Sequence, residues 1–204
     1  NALKEDDYRW WIERLRSNFR LFDVVRLDHF RGFYDYWRIP AGATDAREGE
    51  WADGPCHDFF NALFRELPEA QLIAEDLGMI DQRVRRFRDE LGLPGMEILQ
   101  FAFGGSPDNL YLPHHHNKNA VVYPGTHDND TSRGWYESAP PESKDQFRRY
   151  FRVDGSDPAW DLIRASYGSV SRMAVLPAQD LLGLGSEARM NRPGEAQGNW
   201  HWRL

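Results

Sequence analysis

Three carboxylates stand where apolar, β-branched runs give way to loop-forming residues: Asp28 in VVRLDHFRGF, Glu75 in QLIAEDLG and Asp128 in VVYPGTHDNDT. In a barrel of parallel strands, the carboxyl ends of successive strands converge on one face, and active sites are built there. Two carboxylates are the minimum for double displacement at a sugar acetal, one attacking and one donating a proton. A third can hold the sugar ring.

The surrounding pattern says how each group would be used. Period-two alternation puts Val24, Arg26 and Asp28 on one face of the first run, with Val25, Leu27 and His29 on the other. A guanidinium beside Asp28 favours the ionised carboxylate, the form a nucleophile needs; a structural ion pair would leave the same pattern. Glu75 ends an apolar run, where burial and neighbouring carboxylates favour the protonated form, as suits a donor to a leaving oxygen and later a base. A strand-end charge facing water is its plainer alternative. Asp76 points the opposite way and, ahead of Leu-Gly, reads as a loop or cap residue. Asp128, flanked by His127 and Asp130, can accept hydrogen bonds from ring hydroxyls and favour an oxocarbenium-like transition state. Asx-rich turns are common at strand ends, so the force lies in the conjunction of all three.

The elements that must carry these groups alternate. Tyr8, Trp11, Ile12, Leu15 and Phe19 predict a helix, and a strand follows over 23–28. Phe59, Phe60, Leu63, Phe64 and Leu67 predict a second helix with Asp58 as its N-cap, then a strand over 72–75. Ile80, Val84, Phe87 and Leu91 predict a third helix, stopped by Gly-Leu-Pro-Gly at 92–95. Strands are expected over 96–101 and 120–123, with weak helical signal between them. A last helix is capped at Asp157 with Pro158 as its first residue, and a last strand covers 173–176. Five strands alternating with helices imply parallel pairing within one folding unit over 1–204. A closed barrel needs eight, so the barrel is expected to lack its N-terminal side and to leave edge strands unpaired.

Composition narrows the function further. With 204 residues, a net charge of -7 and no window of some 20 apolar residues, the chain reads as a soluble protein that binds neither nucleic acid nor membrane. Its N-terminus lacks the character of a secretory signal. One cysteine, Cys56, excludes an intrachain disulfide and suits a reducing, cytoplasmic compartment; it reads as a packed thiol. Eight tryptophans offer flat apolar faces of the kind that stack on sugars, although most such rings serve cores. The run His114, His115, His116 lacks metal-ligand spacing and reads as a polar loop rimming the cleft.

In order along the chain, RLDHFRGF, LIAEDLG, PGMEILQFAF, YPGTHDNDT and LPAQDLLGLGSEARMNRPG closely resemble the amylomaltases, the 4-alpha-glucanotransferases of the retaining α-amylase clan. The resemblance implies a TIM-type (β/α)8 barrel of which about the C-terminal five β/α units are present. It implies transfer of α-1,4-glucan segments between maltooligosaccharides through a covalent glycosyl-aspartate, without cofactor or metal. Asp28 matches the nucleophile, Glu75 the acid/base and Asp128 the transition-state carboxylate. Arg26, His127 and Asn191 match sugar-contacting positions, as do Arg189 and Asn129 less closely. Members of the family run to about twice this length. The missing N-terminal half, or a neighbouring chain, is therefore expected to cover the open edge, and the chain alone to be inactive or weakly active. Gly104 stands where an acidic residue is expected, so an outer contact is lost. A hydrolase of the same clan and an inactive, glucan-binding barrel fragment are the alternatives.

Overall fold

A single turn, α1 (Ala2–Glu5), leads into α2 (Arg9–Asn18), where the spacing of Tyr8, Ile12 and Leu15 yields one buried stripe. In this computed structural model, which describes residues 2–78 and 80–204, the chain is mixed α/β. It divides into two compact units, Asn1–Met96 and Glu97–Leu204, each with its own apolar cluster.

In the first unit, the run expected as a strand over 23–28 shortens to β1 (Val25–Leu27). A hairpin absent from the sequence reading follows: β2 (Asp35–Arg38) pairs antiparallel with β3 (Glu50–Asp53). Helix α3 (Cys56–Glu66) begins earlier than expected, after Pro55, and corrects the cap assignment. Pro55 sits in the helical region at φ -71°, so the proline ring presets the entry, and Asp58 inside the first turn pairs instead with Lys4. Helix α3 buries Phe59, Phe60 and Leu63, and β4 (Leu72–Ala74) returns parallel to β1 in the register Val25↔Leu72, Arg26↔Ile73, Leu27↔Ala74. Helix α4 (Gln82–Glu90) starts two residues after Ile80, because Asp81 caps it by accepting the Arg83 and Val84 N–H groups at 2.8 and 3.2 Å. It ends before Gly92, whose φ of +67° breaks the helix. The core between these elements is aromatic: Phe33 stacks on Phe59 at 4.9 Å and Phe30 on Phe87 at 5.4 Å.

The division falls inside β5 (Gly95–Ile98). The expected strand over 96–101 stops at Ile98, since Leu99–Phe101 turns as a 3-10 helix and the Gln100 N–H donates to the Pro124 carbonyl at 3.1 Å. In the second unit the sheet order is β5-β6-β7, with β6 (Ala120–Tyr123) as expected and parallel to β7 (Met173–Ala174). The last strand is shorter than the run over 173–176. Between the two strands run α5 (Ser132–Ser138), α6 (Pro141–Phe151) and α7 (Pro158–Tyr167). The last of these is capped as expected by Asp157, which accepts from the Trp160 N–H at 3.4 Å. A short α8 (Ala178–Leu181) follows, and Leu99, Phe103, Leu112, Val122, Phe147 and Leu162 form the core. Among the described residues, no helix is long and apolar enough to cross a membrane.

Candidate active site

In the first unit, parallel pairing brings two of the three carboxylates to neighbouring strand ends. Leu27 and Ala74 are register partners, so Asp28 and Glu75 are the next residues along adjacent strands. The Glu75 N–H donates to the Leu27 carbonyl at 2.9 Å and the Phe30 N–H donates to the Glu75 carbonyl at 3.0 Å. Between those bonds the chain turns sharply. His29 adopts a left-handed conformation at φ 49°, ψ 51°, a region in which histidine is among the tolerated side chains. That turn aims the His29 N–H at Glu75 Oε2, 2.7 Å away, while the Leu77 N–H donates to Oε1 at 3.0 Å. The half-buried Glu75 carboxylate is thus gripped by two peptide groups, one of them the peptide joining Asp28 to His29. Asp28 itself is exposed, and Arg26 Nη2 lies 2.8 Å from its Oδ1, on the shared face that alternation predicts. Asp76 points away from Glu75, also as predicted. It is a buried anion rather than a cap: it pairs with Arg88 and accepts the Met96 N–H at 2.9 Å.

In the second unit, Asp128 sits on a tight turn after β6. The Thr126 N–H and hydroxyl donate to Asn129 Oδ1 at 2.8 and 2.9 Å, and the Asp128 N–H donates to Thr126 Oγ1 at 3.3 Å. Gly125 keeps this turn close to its support, since a Cβ there would stand 2.7 Å from Gln100 Nε2 and 3.0 Å from Asn129 Cβ. Asn191 Nδ2 donates to Asp128 Oδ1 at 2.6 Å, and His127 Nε2 lies 3.4 Å from the same oxygen. Arg189 donates to the Asp128 carbonyl at 2.6 Å and to the Asn191 carbonyl at 2.9 Å, tying the two loops together. His127, Asp128, Asn129, Arg189 and Asn191 are therefore one cluster, whereas Arg26, Asp28 and Glu75 form the group of the first unit.

Several contributors escaped the sequence reading. Trp200 places its ring 5.3 Å from His127 across more than seventy residues of chain. The buried Asp180 accepts from both the N–H and the hydroxyl of Ser132 at 2.7 Å, anchoring the start of α5 behind the Asp128 turn. Burial pushes its carboxyl up, against the pull of the two Ser132 bonds. Ser186 donates to Asp130 Oδ2 at 2.7 Å, holding the chain that leads to Arg189. No periodicity marks such long-range pairs.

The other candidates are accounted for by packing. The His114 ring meets the Tyr150 hydroxyl at 2.7 Å, the His115 ring the Pro107 carbonyl at 3.1 Å, and the His116 ring both Ser169 and the Tyr111 carbonyl at 2.8 and 2.9 Å. Burial lowers the pKa of His116. Cys56 is half-buried with its thiol 3.5 Å from the Tyr34 carbonyl, and burial pushes that thiol up. Gly104 adopts φ +95° and packs against Ser143, so an acidic side chain would be strained on this backbone.

Comparison with known proteins places the chain. A family model described as 4-alpha-glucanotransferase matches residues 1–204. The 4-alpha-glucanotransferase of Thermus thermophilus is 46% identical over 213 aligned positions, covering 100% of this chain and 42% of that protein. That of Clostridium butyricum is 42% identical, covering 98% of this chain and 42% of its own length. The chloroplastic/amyloplastic enzyme of Arabidopsis thaliana is 46% identical, covering 100% of this chain and 35% of that protein. The chain thus spans well under half the length of these relatives. Among solved structures, the amylomaltase of Streptococcus agalactiae in complex with acarbose superposes with a TM-score of 0.93 at 37% identity, over 99% of this chain and 41% of that one. Matched by the family model from its first residue to its last, this chain belongs to the 4-alpha-glucanotransferase family.

Proposed function

We propose that this chain supplies the catalytic carboxylates of a 4-alpha-glucanotransferase acting by retaining double displacement. Asp28 attacks the anomeric carbon of the donor glucan, the C1–O4 bond breaks, and the Glu75 proton passes to the departing O4. The 4-hydroxyl of an acceptor glucan then attacks the glucosyl ester. Its proton returns to Glu75 as the bond to Asp28 breaks and a new C1–O4 bond forms. Asp128 is assigned to the ring hydroxyls and the oxocarbenium-like transition state, with Arg26, His127 and Asn191 contacting sugar around the cleaved bond. Asn129 and Arg189 serve the same substrate by holding the Asp128 loop.

The observation that carries this reading is the parallel register of Leu27 and Ala74, which brings Asp28 and Glu75 to adjacent strand ends. Family membership and the likeness to an amylomaltase solved with acarbose support an α-1,4-glucan substrate. The same likeness, the parallel pairs β1–β4 and β6–β7, and the alternation of strands with helices support a (β/α)8 barrel. Its remaining strands come from sequence outside these 204 residues, and both units belong to one catalytic domain.

Incubating the full-length protein that carries this chain with maltotriose is the test. Transfer yields glucose together with oligosaccharides longer than the substrate. Glucose and maltose without longer products would replace this reading with hydrolysis.

A further inference from the structure

Gln100 is the polar side chain of the 3-10 turn Leu99–Phe101, two residues beyond the end of β5. It is 5% exposed within this chain alone, so any further chain can only bury it more. Its neighbours Leu99 and Ala102 are fully buried. A buried amide in such a setting is costly unless its hydrogen bonds are made. Gln100 makes them to one loop: Nε2 donates to the Asp130 carbonyl at 2.9 Å, and the backbone N–H donates to the Pro124 carbonyl at 3.1 Å. A carbonyl only accepts, which fixes the nitrogen end of the amide toward Asp130.

These two acceptors bracket the segment 125–129, which carries His127, Asp128 and Asn129. One residue therefore holds both ends of the turn on which Asp128 stands. Between those ends the turn rests on the same amide, since a Cβ on Gly125 would lie 2.7 Å from Gln100 Nε2 and 3.0 Å from its Cδ. The bonds among Thr126, Asp128 and Asn129 set the shape of the turn. Its height above the sheet is set by what lies beneath it, and Gln100 lies beneath it.

We propose that Gln100 is a positioning residue for Asp128, fixing the depth at which that carboxylate meets the sugar ring. The proposal rests on the glucanotransferase reading above. Asp128 is assigned to the transition state, so a turn that slips off its support should lower kcat and leave KM almost unchanged. A displacement of about 1 Å is enough to cost about a hundredfold in rate.

Gln100→Met keeps the length of the side chain and removes its donor. In the full-length protein, kcat for glucose release from maltotriose should fall about ten- to hundredfold, with KM within about twofold of wild type. Gly125→Ala, which leaves Gln100 in place and pushes on its amide from the loop side, should give the same split. A residue that only fills the core would lower the urea midpoint and leave kcat per folded molecule unchanged. That result in Gln100→Met overturns the proposal, as does a rise in KM at constant kcat. Where urea unfolding shows Gln100→Met unfolded at the assay temperature, Gly125→Ala decides by the same criteria. Glucose is released in transfer and in hydrolysis alike, so a wild type that makes no longer oligosaccharides sinks the transferase reading without touching this comparison. A wild type that releases no glucose at all overturns both.

Discussion

Replacing Asp76 by alanine should destabilise the first unit by about 3–4 kcal/mol. The Asp76 and Arg88 side chains are 5% and 11% exposed, so the pair is buried. Removing one partner of a buried pair typically costs about 3–5 kcal/mol, because the other charge stays desolvated. Asp89 moderates the loss: its Oδ1 lies 2.9 Å from Arg88 Nε and 2.6 Å from Nη2, but it is 61% exposed and well hydrated. That puts the ionic part near the lower limit, about 3 kcal/mol. The Met96 N–H, orphaned of its 2.9 Å acceptor, adds up to about 1 kcal/mol. Asp76→Asn keeps a neutral acceptor for Met96 and should cost only about 1.5–2 kcal/mol. Equilibrium urea unfolding of both variants, compared at equal m-values, reads the difference. If the two variants unfolded together, within about 0.5 kcal/mol of wild type, the buried-pair argument would be refuted.

Asn191→Ala removes the 2.6 Å bond to a half-exposed Asp128, and kcat for transfer should fall about tenfold with little change in folding; an unchanged kcat would dissociate Asn191 from the function of Asp128. Asp180 supplies a pH test. Burial raises its pKa above the ordinary 3.8, so the folded protein holds this proton more tightly than the unfolded chain does. Its contribution to stability is complete below 3.8 and is lost as pH rises through the elevated folded value. Relative to wild type, Asp180→Asn should therefore gain stability as pH rises across that window. A flat or opposite trend in melting temperature would contradict the sign. Asp81 behaves in reverse: its Arg83 partner and the α4 N–H groups hold it at about 2, so its contribution is present above 3.8 and lost as pH falls through 2. Asp81→Ala should flatten the acid side of the stability curve.

Some of this molecule is written locally and some is not. The run 120–123 is apolar throughout and became β6 residue for residue, and Asp157-Pro158 capped α7 as its chemistry dictates. Alternation placed Arg26 beside Asp28 correctly. The 96–101 run failed because apolar content is shared by strands and buried turns: Leu99 and Gln100 are buried in a 3-10 turn. Helix α6 was missed although Pro141 opens it and Phe147 marks its inner face, because Ser, Lys, Asp and two arginines dilute the stripe. The hairpin lacked a two-residue turn signal, its strands being joined by the loop that contains Ala46. At the site, residue types at strand ends were legible. The left-handed His29, the Arg189 clamp, and the Asp180–Ser132 anchor were not, since each depends on segments brought together only by the fold.

The central claim is that Asp28 becomes covalently glucosylated while Glu75 moves the proton. Trapping the full-length protein with a 5-fluoro-α-glucosyl fluoride and mapping the label by mass spectrometry tests it most directly. The account predicts one glucosyl adduct on the peptide RLDHFRGF, at Asp28, and none in Asp28→Asn. An adduct on Glu75 or Asp128, or full labelling of Asp28→Asn, would contradict it.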